Sequence, residues 1–312
     1  MKNALIIGAA GFIGTYLTKR LSSEMNLTCI DNLSNGSEKR FKYINKNIDL
    51  LKLDLNELGV SKDKNYDYIF DLSYINGTKQ FYTRGAEILR CAANNVSSSI
   101  NLAEKYDAKL IYFSTPEVFG DTKIIPTPEN SPFTIPDISN PRWSYSIGKI
   151  YCESLLHTTK QQNKDFCFNI VRPNNAYGPF DRFHVVPDLI NLIKDNTSEL
   201  VVRGDRNSTR SYCYITDMVE QIHSVATKAD DGETYNLGNS TETSLQDLVN
   251  LLVELTQTKK TVKYSNPPEG SPSRRLPCTQ KIDEICPIAK TDLKSGLQIV
   301  TSSEGCDPYN DF

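Results

Sequence analysis

Histidine is scarce, with three in 312 residues, and none of His157, His184 and His223 stands at a metal-like spacing from another ligand, which argues against a zinc centre. The eight cysteines are scattered, at 29, 91, 152, 167, 213, 278, 286 and 306, with no C-x-x-C pair. They read as reduced thiols of a cytoplasmic protein rather than as a disulfide framework. No apolar run approaches the roughly 20 residues that span a bilayer, so a membrane protein is not expected. An excess of charge of one sign is missing too. The 35 Lys and Arg against 38 Asp and Glu leave −3, which provides no field to hold nucleic acid. A phosphate-bearing ligand therefore has to be gripped by a few placed arginines. Internal repeats and low-complexity tracts are absent as well. The apolar N-terminal stretch carries three glycines and no convincing cleavage site, so a fold motif explains it better than a secretory signal.

What is present is the composition of an ordinary globular protein, 38% hydrophobic and 23% charged, long enough for one large α/β domain or two coupled ones. Short apolar runs alternate with stretches of helical period, which predicts an α/β fold with a doubly wound, Rossmann-type parallel sheet. Strands are predicted at Ala4 to Ile7, Leu27 to Ile30, Leu50 to Leu53, Tyr68 to Leu72, Lys109 to Phe113 and Cys167 to Val171. Helices are predicted at 12 to 23, 84 to 105 and 143 to 160, and later at 185 to 195, 216 to 228 and 244 to 256. Residues 1–175 are expected to form the dinucleotide-binding domain and to carry the catalytic residues. Residues 176–312 are expected to form mainly a smaller C-terminal substrate-binding lobe, interleaved with the first. Ser265 to Pro277 reads as an irregular loop, and the tail after Ile299 has no periodic pattern.

Gly8-Ala9-Ala10-Gly11-Phe12-Ile13-Gly14 follows a predicted strand and opens an amphipathic helix, the context a dinucleotide fingerprint requires. Glycines there let the backbone approach a pyrophosphate at a helix N-terminus. Asp31 ends the second strand, 17 residues past Gly14. A carboxylate at that point accepts from the adenosine ribose hydroxyls and repels a 2′-phosphate; no Lys or Arg intervenes before Lys39, so NAD rather than NADP is expected. A plain turn residue beside Asn32 is the other reading of Asp31. Asp54 suits an adenine contact or a helix N-cap.

Tyr145 and Lys149 form the one Y-x-x-x-K in the chain, an i, i+4 pair on one helix face, placed where an α/β sheet opens its ligand crevice. An ammonium beside a phenol lowers its pKa, so Tyr145 is predicted to exchange a proton with a hydroxyl while hydride moves between the same carbon and a nicotinamide. Thr115 is expected to share the substrate's hydrogen bond, and Glu117 adds a carboxylate beside the same crevice. An exposed Tyr/Lys pair and a turn-forming Thr are the alternatives.

Taken together, these motifs resemble the extended short-chain dehydrogenase/reductases of the nucleotide-sugar epimerase, dehydratase and decarboxylase group. The likeness runs from Gly8 to about Leu297. It is carried by Gly8, Gly11 and Gly14, by Asp31 to Ser34, Ser114 to Gly120, Tyr145 with Lys149, Arg172 to Pro179, Thr209-Arg210-Ser211, Tyr235 to Gly238 and Arg274-Arg275. The resemblance implies an NAD site made by Gly8, Gly11, Phe12, Ile13, Gly14, Asp31, Asn32, Asp54, Leu55, Leu72, Tyr145 and Lys149. It implies diphosphate contacts from Asn175, Arg210 and Arg275, with surface ion pairs as the other reading of the arginines. It also implies a homodimer formed through the helices near 84 to 105 and 143 to 160, and transient oxidation of a nucleotide-diphosphate sugar to a 4-keto intermediate. Pro116 stands where dehydratases of the group place a proton-donating aspartic acid, and Cys278 where an aspartate is frequent. Glu117 keeps a carboxylate that typical 4-epimerases lack, which tilts the expectation toward decarboxylation or dehydration. A 4-epimerase, a net NAD-dependent dehydrogenase and a non-catalytic NAD-binding regulator remain the alternatives.

Overall fold

The computed structural model describes residues 1–58, 65–267 and 272–302. The chain opens with β1 (Lys2–Ile7), α1 (Phe12–Leu21), β2 (Met25–Asp31), α2 (Glu38–Ile44) and β3 (Leu50–Lys52). It continues through β4 (Tyr68–Asp71), α3 (Thr78–Thr83), α4 (Gly85–Tyr106), β5 (Lys109–Phe113), α5 (Ser144–Gln162) and β6 (Phe168–Pro173). The second half holds β7 (Ala176–Tyr177), α6 (Val185–Lys194), β8 (Glu199–Arg203), β9 (Thr209–Ser211), β10 (Cys213–Tyr214), α7 (Ile215–Lys228) and β11 (Thr234–Leu237). After these come β12 (Glu242–Ser244), α8 (Leu245–Thr256), β13 (Thr261–Ser265), β14 (Arg274–Arg275), α9 (Gln280–Ile285) and α10 (Leu293–Ser302).

Seven strands form a parallel sheet in the order β11-β6-β5-β4-β1-β2-β3. Ala4, Leu5 and Ile6 are completely buried, the mark of strands covered on both faces. One apolar core joins Ile6 and Phe70 to Leu17 of α1 and Met218 and Ile222 of α7. The other joins Leu5 and Ile69 to Val96 and Ile100 of α4 and Cys152 and Leu156 of α5. Strand order reverses between β1 and β4, so a crevice opens at their carboxyl ends. Gly8 and Leu72 face each other there, with a Cβ on Gly8 falling 3.0 Å from the Leu72 backbone.

All six predicted strands and all six predicted helices are present, with ends moved by up to a few residues. Several elements were not read from the sequence, α3, α9 and the short strands β7 to β10 and β12 among them. Helix α2 is nucleated by Ser37, whose hydroxyl accepts from Arg40 N; the polar run around it hid that cap. Strand β11 crosses back from the second half to complete the sheet beside β6, and α10 carries regular structure past Ile299 to Ser302. Within the Ser265–Pro277 segment, Ser265 ends β13 and Arg274–Arg275 form β14 against β9. Its centre, and the tail beyond Ser302, lie outside the described residues. Among the described residues no helix is long and apolar enough to cross a membrane.

Candidate active site

The glycine loop between β1 and α1 is shaped by contact. Gly8 has φ +79°, and a Cβ on Gly14 would lie 2.2 Å from the Gly8 carbonyl oxygen. The N-cap position, Gly11, offers no side chain to the first amides of α1, so these N–H groups are left for an anion. Arg40, which sequence reasoning passed over, braces this loop. Its guanidinium donates to Ala10 O and, at 3.0 Å, to Phe180 O.

A cleft of about 1500 Å³ runs from this loop past the end of β5 to β9 and β14, larger than a pocket for one small ligand. Its wall holds Gly8, Gly11, Phe12, Ile13, Gly14 and Leu72, then Thr115, Glu117, Tyr145 and Lys149, then Asn175, Arg210 and Arg275. Four expected cofactor residues stand outside that wall. Asp31 accepts from Ala10 N (2.9 Å) and Leu33 N (2.7 Å), and the 32–36 segment covers it so closely that a Cβ on Gly36 would meet its Oδ1 at 2.7 Å. Asp54 makes the cap, accepting from Asn56 N (2.9 Å) and from the Asn32 amide (2.8 Å). Leu55 belongs to the core beside Leu5, Ile7 and Ile30, because the turn that Asp54 caps points it inward.

At the end of β5 the Thr115 hydroxyl caps the short 3₁₀ turn Pro116–Phe119, accepting from Glu117 N at 3.3 Å. Pro116 takes the first position, where a missing N–H costs nothing. That turn delivers Glu117 between two guanidinium groups, Arg275 Nη1 at 2.5 Å and Arg142 Nη2 at 2.9 Å. Burial disfavours its charge, but Arg275 and Arg142 outweigh burial and hold the carboxyl down to about 2. Arg210 adds a third positive charge nearby; burial, then repulsion from Arg275, pulls it to about 10. Arg142 Nη1 and Arg275 Nη2 are buried without an acceptor. Arg142 was not anticipated, although it precedes Tyr145 by three residues.

Tyr145 is 7% exposed, stacked on Phe81 at 4.7 Å. Burial pushes its hydroxyl pKa up, and a hydrogen bond with Thr115 only partly opposes that. The expected acidification by Lys149 is not present. The Lys149 ammonium points to the sheet instead, donating to Tyr112 Oη (3.0 Å) and Phe113 O (2.6 Å), and burial lowers it to about 8. Beneath the turn, Glu153 and Arg172 form a buried ion pair at 2.6 Å, and Ser114 donates to the same carboxylate. At the far end the Asn175 amide donates to Ser211 O at 2.8 Å and Arg210 donates to Pro272 O at 2.7 Å.

A glycine cradle at an uncapped helix, followed by a Tyr/Lys pair, fits a dinucleotide, and the remaining half of the cleft fits a second anionic ligand. The sequence model of the NAD dependent epimerase/dehydratase family matches residues 4–238. The chain belongs to this family. As a member it is an NAD-dependent enzyme. It is 27% identical over 299 residues to the UDP-N-acetyl-alpha-D-glucosaminuronate decarboxylase of Bacillus cytotoxicus, covering 91% of this chain and 92% of that protein. It is 30% identical over 308 residues to UDP-glucuronic acid decarboxylase 5 of Arabidopsis thaliana, covering 95% and 87%. The fold matches that of the UDP-N-acetylglucosamine 4-epimerase from Methanobrevibacter ruminantium M1 with a TM-score of 0.84 at 21% identity, covering 96% of each chain.

Proposed function

We propose that this family member decarboxylates a nucleotide-linked uronic acid through transient oxidation at C4 of the sugar. The observation that carries the reading is the charge at the substrate end of the cleft. Two guanidinium groups, Arg142 and Arg275, clamp Glu117, Arg210 adds positive charge nearby, and two buried nitrogens, Arg142 Nη1 and Arg275 Nη2, have nothing to donate to. A buried donor without an acceptor costs about 1–3 kcal/mol, so a second carboxylate entering there is favoured. Both decarboxylases cited above act, by name, on UDP-linked uronic acids.

In this reading the Gly11, Phe12 and Ile13 amides hold the cofactor's pyrophosphate, Gly8, Gly14 and Leu72 shape its bed, and Lys149 orients its far end. Asp31 serves the adenosine end once the 32–36 segment makes room. Arg210 and Asn175 hold the substrate's diphosphate. Bound NAD supplies the hydride acceptor and the hydride that is later returned. Tyr145, once it has released its own proton to solvent and stands as the phenolate beside the bound cofactor's positive charge, would take the proton of the C4 hydroxyl, with Thr115 sharing the hydrogen bond. The resulting C4 ketone makes the sugar acid a β-keto acid. The bond from C5 to the carboxyl carbon then breaks, its electron pair moves into the C4 carbonyl, and carbon dioxide leaves. The enolate oxygen is held by Tyr145 and Thr115, C5 takes a proton from a water molecule that enters the cleft, and Tyr145 returns the proton it took from the C4 hydroxyl to the C4 oxygen as the ketone is reduced. Glu117 stays ionised and keeps Arg142 and Arg275 aimed at the departing carboxylate.

A cytoplasmic location is supported by the buried free thiols of Cys29, Cys152, Cys213 and Cys286, which a reducing compartment keeps reduced. A homodimer through α4 and α5 is supported by Leu89 and Tyr151, large apolar side chains exposed on those helices.

The test is to incubate the purified protein and NAD with UDP-glucuronic acid and with UDP-N-acetylglucosaminuronic acid and to weigh the products. Release of carbon dioxide, with NAD regenerated, is expected. Loss of water, inverted stereochemistry at unchanged mass, or accumulating NADH would replace this reading by a dehydratase, a 4-epimerase or a net dehydrogenase. Bound NAD with no turnover of any sugar nucleotide would leave the regulator.

A further inference from the structure

Beneath the cleft, Tyr74 belongs to no part of the machinery described so far. It lies in the loop after β4 with its ring centroid 3.8 Å from Lys149 Nζ. The Tyr112 ring centroid stands 4.5 Å from the same nitrogen. We infer that Tyr74 is a positioning residue for Lys149, its ring face and the Tyr112 hydroxyl together forming a seat that fixes the ammonium at the floor of the cleft. Such a seat is attractive because the negative face of the Tyr74 ring replaces water around a desolvated cation.

Two contacts fix the ring itself. Its edge meets Tyr145 at 5.2 Å, which ties the two halves of the Tyr/Lys pair through a third aromatic. Its hydroxyl is lodged under α5, where a Cβ on Gly148 would lie 2.2 Å from Tyr74 Oη; the glycine just before Lys149 is what admits it. That hydroxyl is buried and bonded to nothing, so the ring face, not the oxygen, is what Lys149 uses. Hydrogen bonds to Tyr112 Oη and Phe113 O and the Tyr74 ring together hold the ammonium in place and leave one N–H free for the cofactor.

The groups that set the Lys149 charge are all identifiable. Burial disfavours it, while Cys152, Asp71 and Glu153, on α5 and β4, favour it. Tyr112 of β5, Tyr145 of α5 and Tyr74 of the loop complete the shell, and Cys91 of α4 lies behind Tyr74. Removing a ring face subtracts from the side that favours the charge, so the ammonium then loses its proton at lower pH.

The inference rests on Lys149 serving the cofactor, and the experiment reads Lys149 directly, without any sugar substrate. In protein carrying 13C-labelled lysine, with the signal assigned by Lys149→Met, the Lys149 side-chain methylene protons are expected upfield of other lysines because of the ring currents. Tyr74→Leu should abolish that upfield shift, lower the Lys149 titration midpoint and weaken NAD binding about tenfold. Tyr74→Phe should restore all three toward the parent values. An ordinary Lys149 shift in the unmutated protein overturns the inference without needing any variant. So does a Tyr74→Leu protein with the parent's midpoint, or a Tyr74→Phe protein as impaired as Tyr74→Leu. Absence of decarboxylation, by contrast, would remove the proposed reaction and leave these readouts standing.

Discussion

A phenol at the bottom of a dry cleft is hard to ionise, and Tyr145 sits in such a place, stacked on Phe81 with its pKa raised by burial. In the proposed reaction its proton would move once a substrate hydroxyl and the cofactor's charge share the cleft with it, which would couple the chemistry to binding. Tyr145→Phe preserves the stacking and removes the one atom that exchanges the proton. The variant is expected to fold and bind NAD like the parent while kcat falls about 10²- to 10⁴-fold, as measured by product formation and by calorimetric titration with NAD. Near-parent turnover would remove Tyr145 from the acid/base role. Tyr145 and Lys149 were legible in the sequence because a helix fixes residues four apart without outside help. Arg142, Arg40 and Tyr74 were not, since the groups they meet lie far away in the chain: Glu117, the Ala10 carbonyl and the Lys149 ammonium.

Among elements, the end of β5 matters most, because it carries Thr115 and Glu117 and has to be held against both α5 and β6. Glu153 of α5 does this, accepting from Ser114 just past β5 and from Arg172 Nε (2.9 Å) and Nη2 (2.6 Å) on β6. Both members of the ion pair have side chains 4% exposed, so the cost of separating them is that of an uncompensated buried charge. Glu153→Gln is expected to cost about 3 kcal/mol of stability, read as a lower midpoint in denaturant unfolding and a fall of several degrees in Tm. A midpoint within error of the parent would show that the pair does not hold the three elements together. The β5 strand itself was readable as an apolar run bounded by turn residues. The Pro116–Phe119 turn after it was visible only as a motif, and its capping by Thr115 needed coordinates.

For the whole molecule, the return of the chain in β11 and α7 places the second half of the sequence against both the sheet and α1. That return brings Arg210 and Arg275 to a cleft whose other wall is built from the first 150 residues. An outer surface with Leu89 on α4 and Tyr151 on α5, 39% and 47% exposed, is costly to leave in water in a lone chain. The double variant Leu89→Glu, Tyr151→Glu is expected to run as a monomer in light scattering while the parent runs as a dimer. A parent that is monomeric at micromolar concentration would dispose of the proposed assembly.

The order of strands and helices, the glycine loop, the Tyr/Lys pair and the choice of NAD followed from the sequence by itself. Each rests on short-range rules of periodicity, capping or spacing that a chain obeys wherever it is folded. The tertiary structure alone decided that Glu117 is clamped by Arg142 and Arg275, that Lys149 rests on Tyr112 and Tyr74, and that Leu55 packs into the core beside Leu5 and Ile30. Those facts depend on charges and ring faces brought together from distant segments, and nothing local to any one of them encodes the meeting.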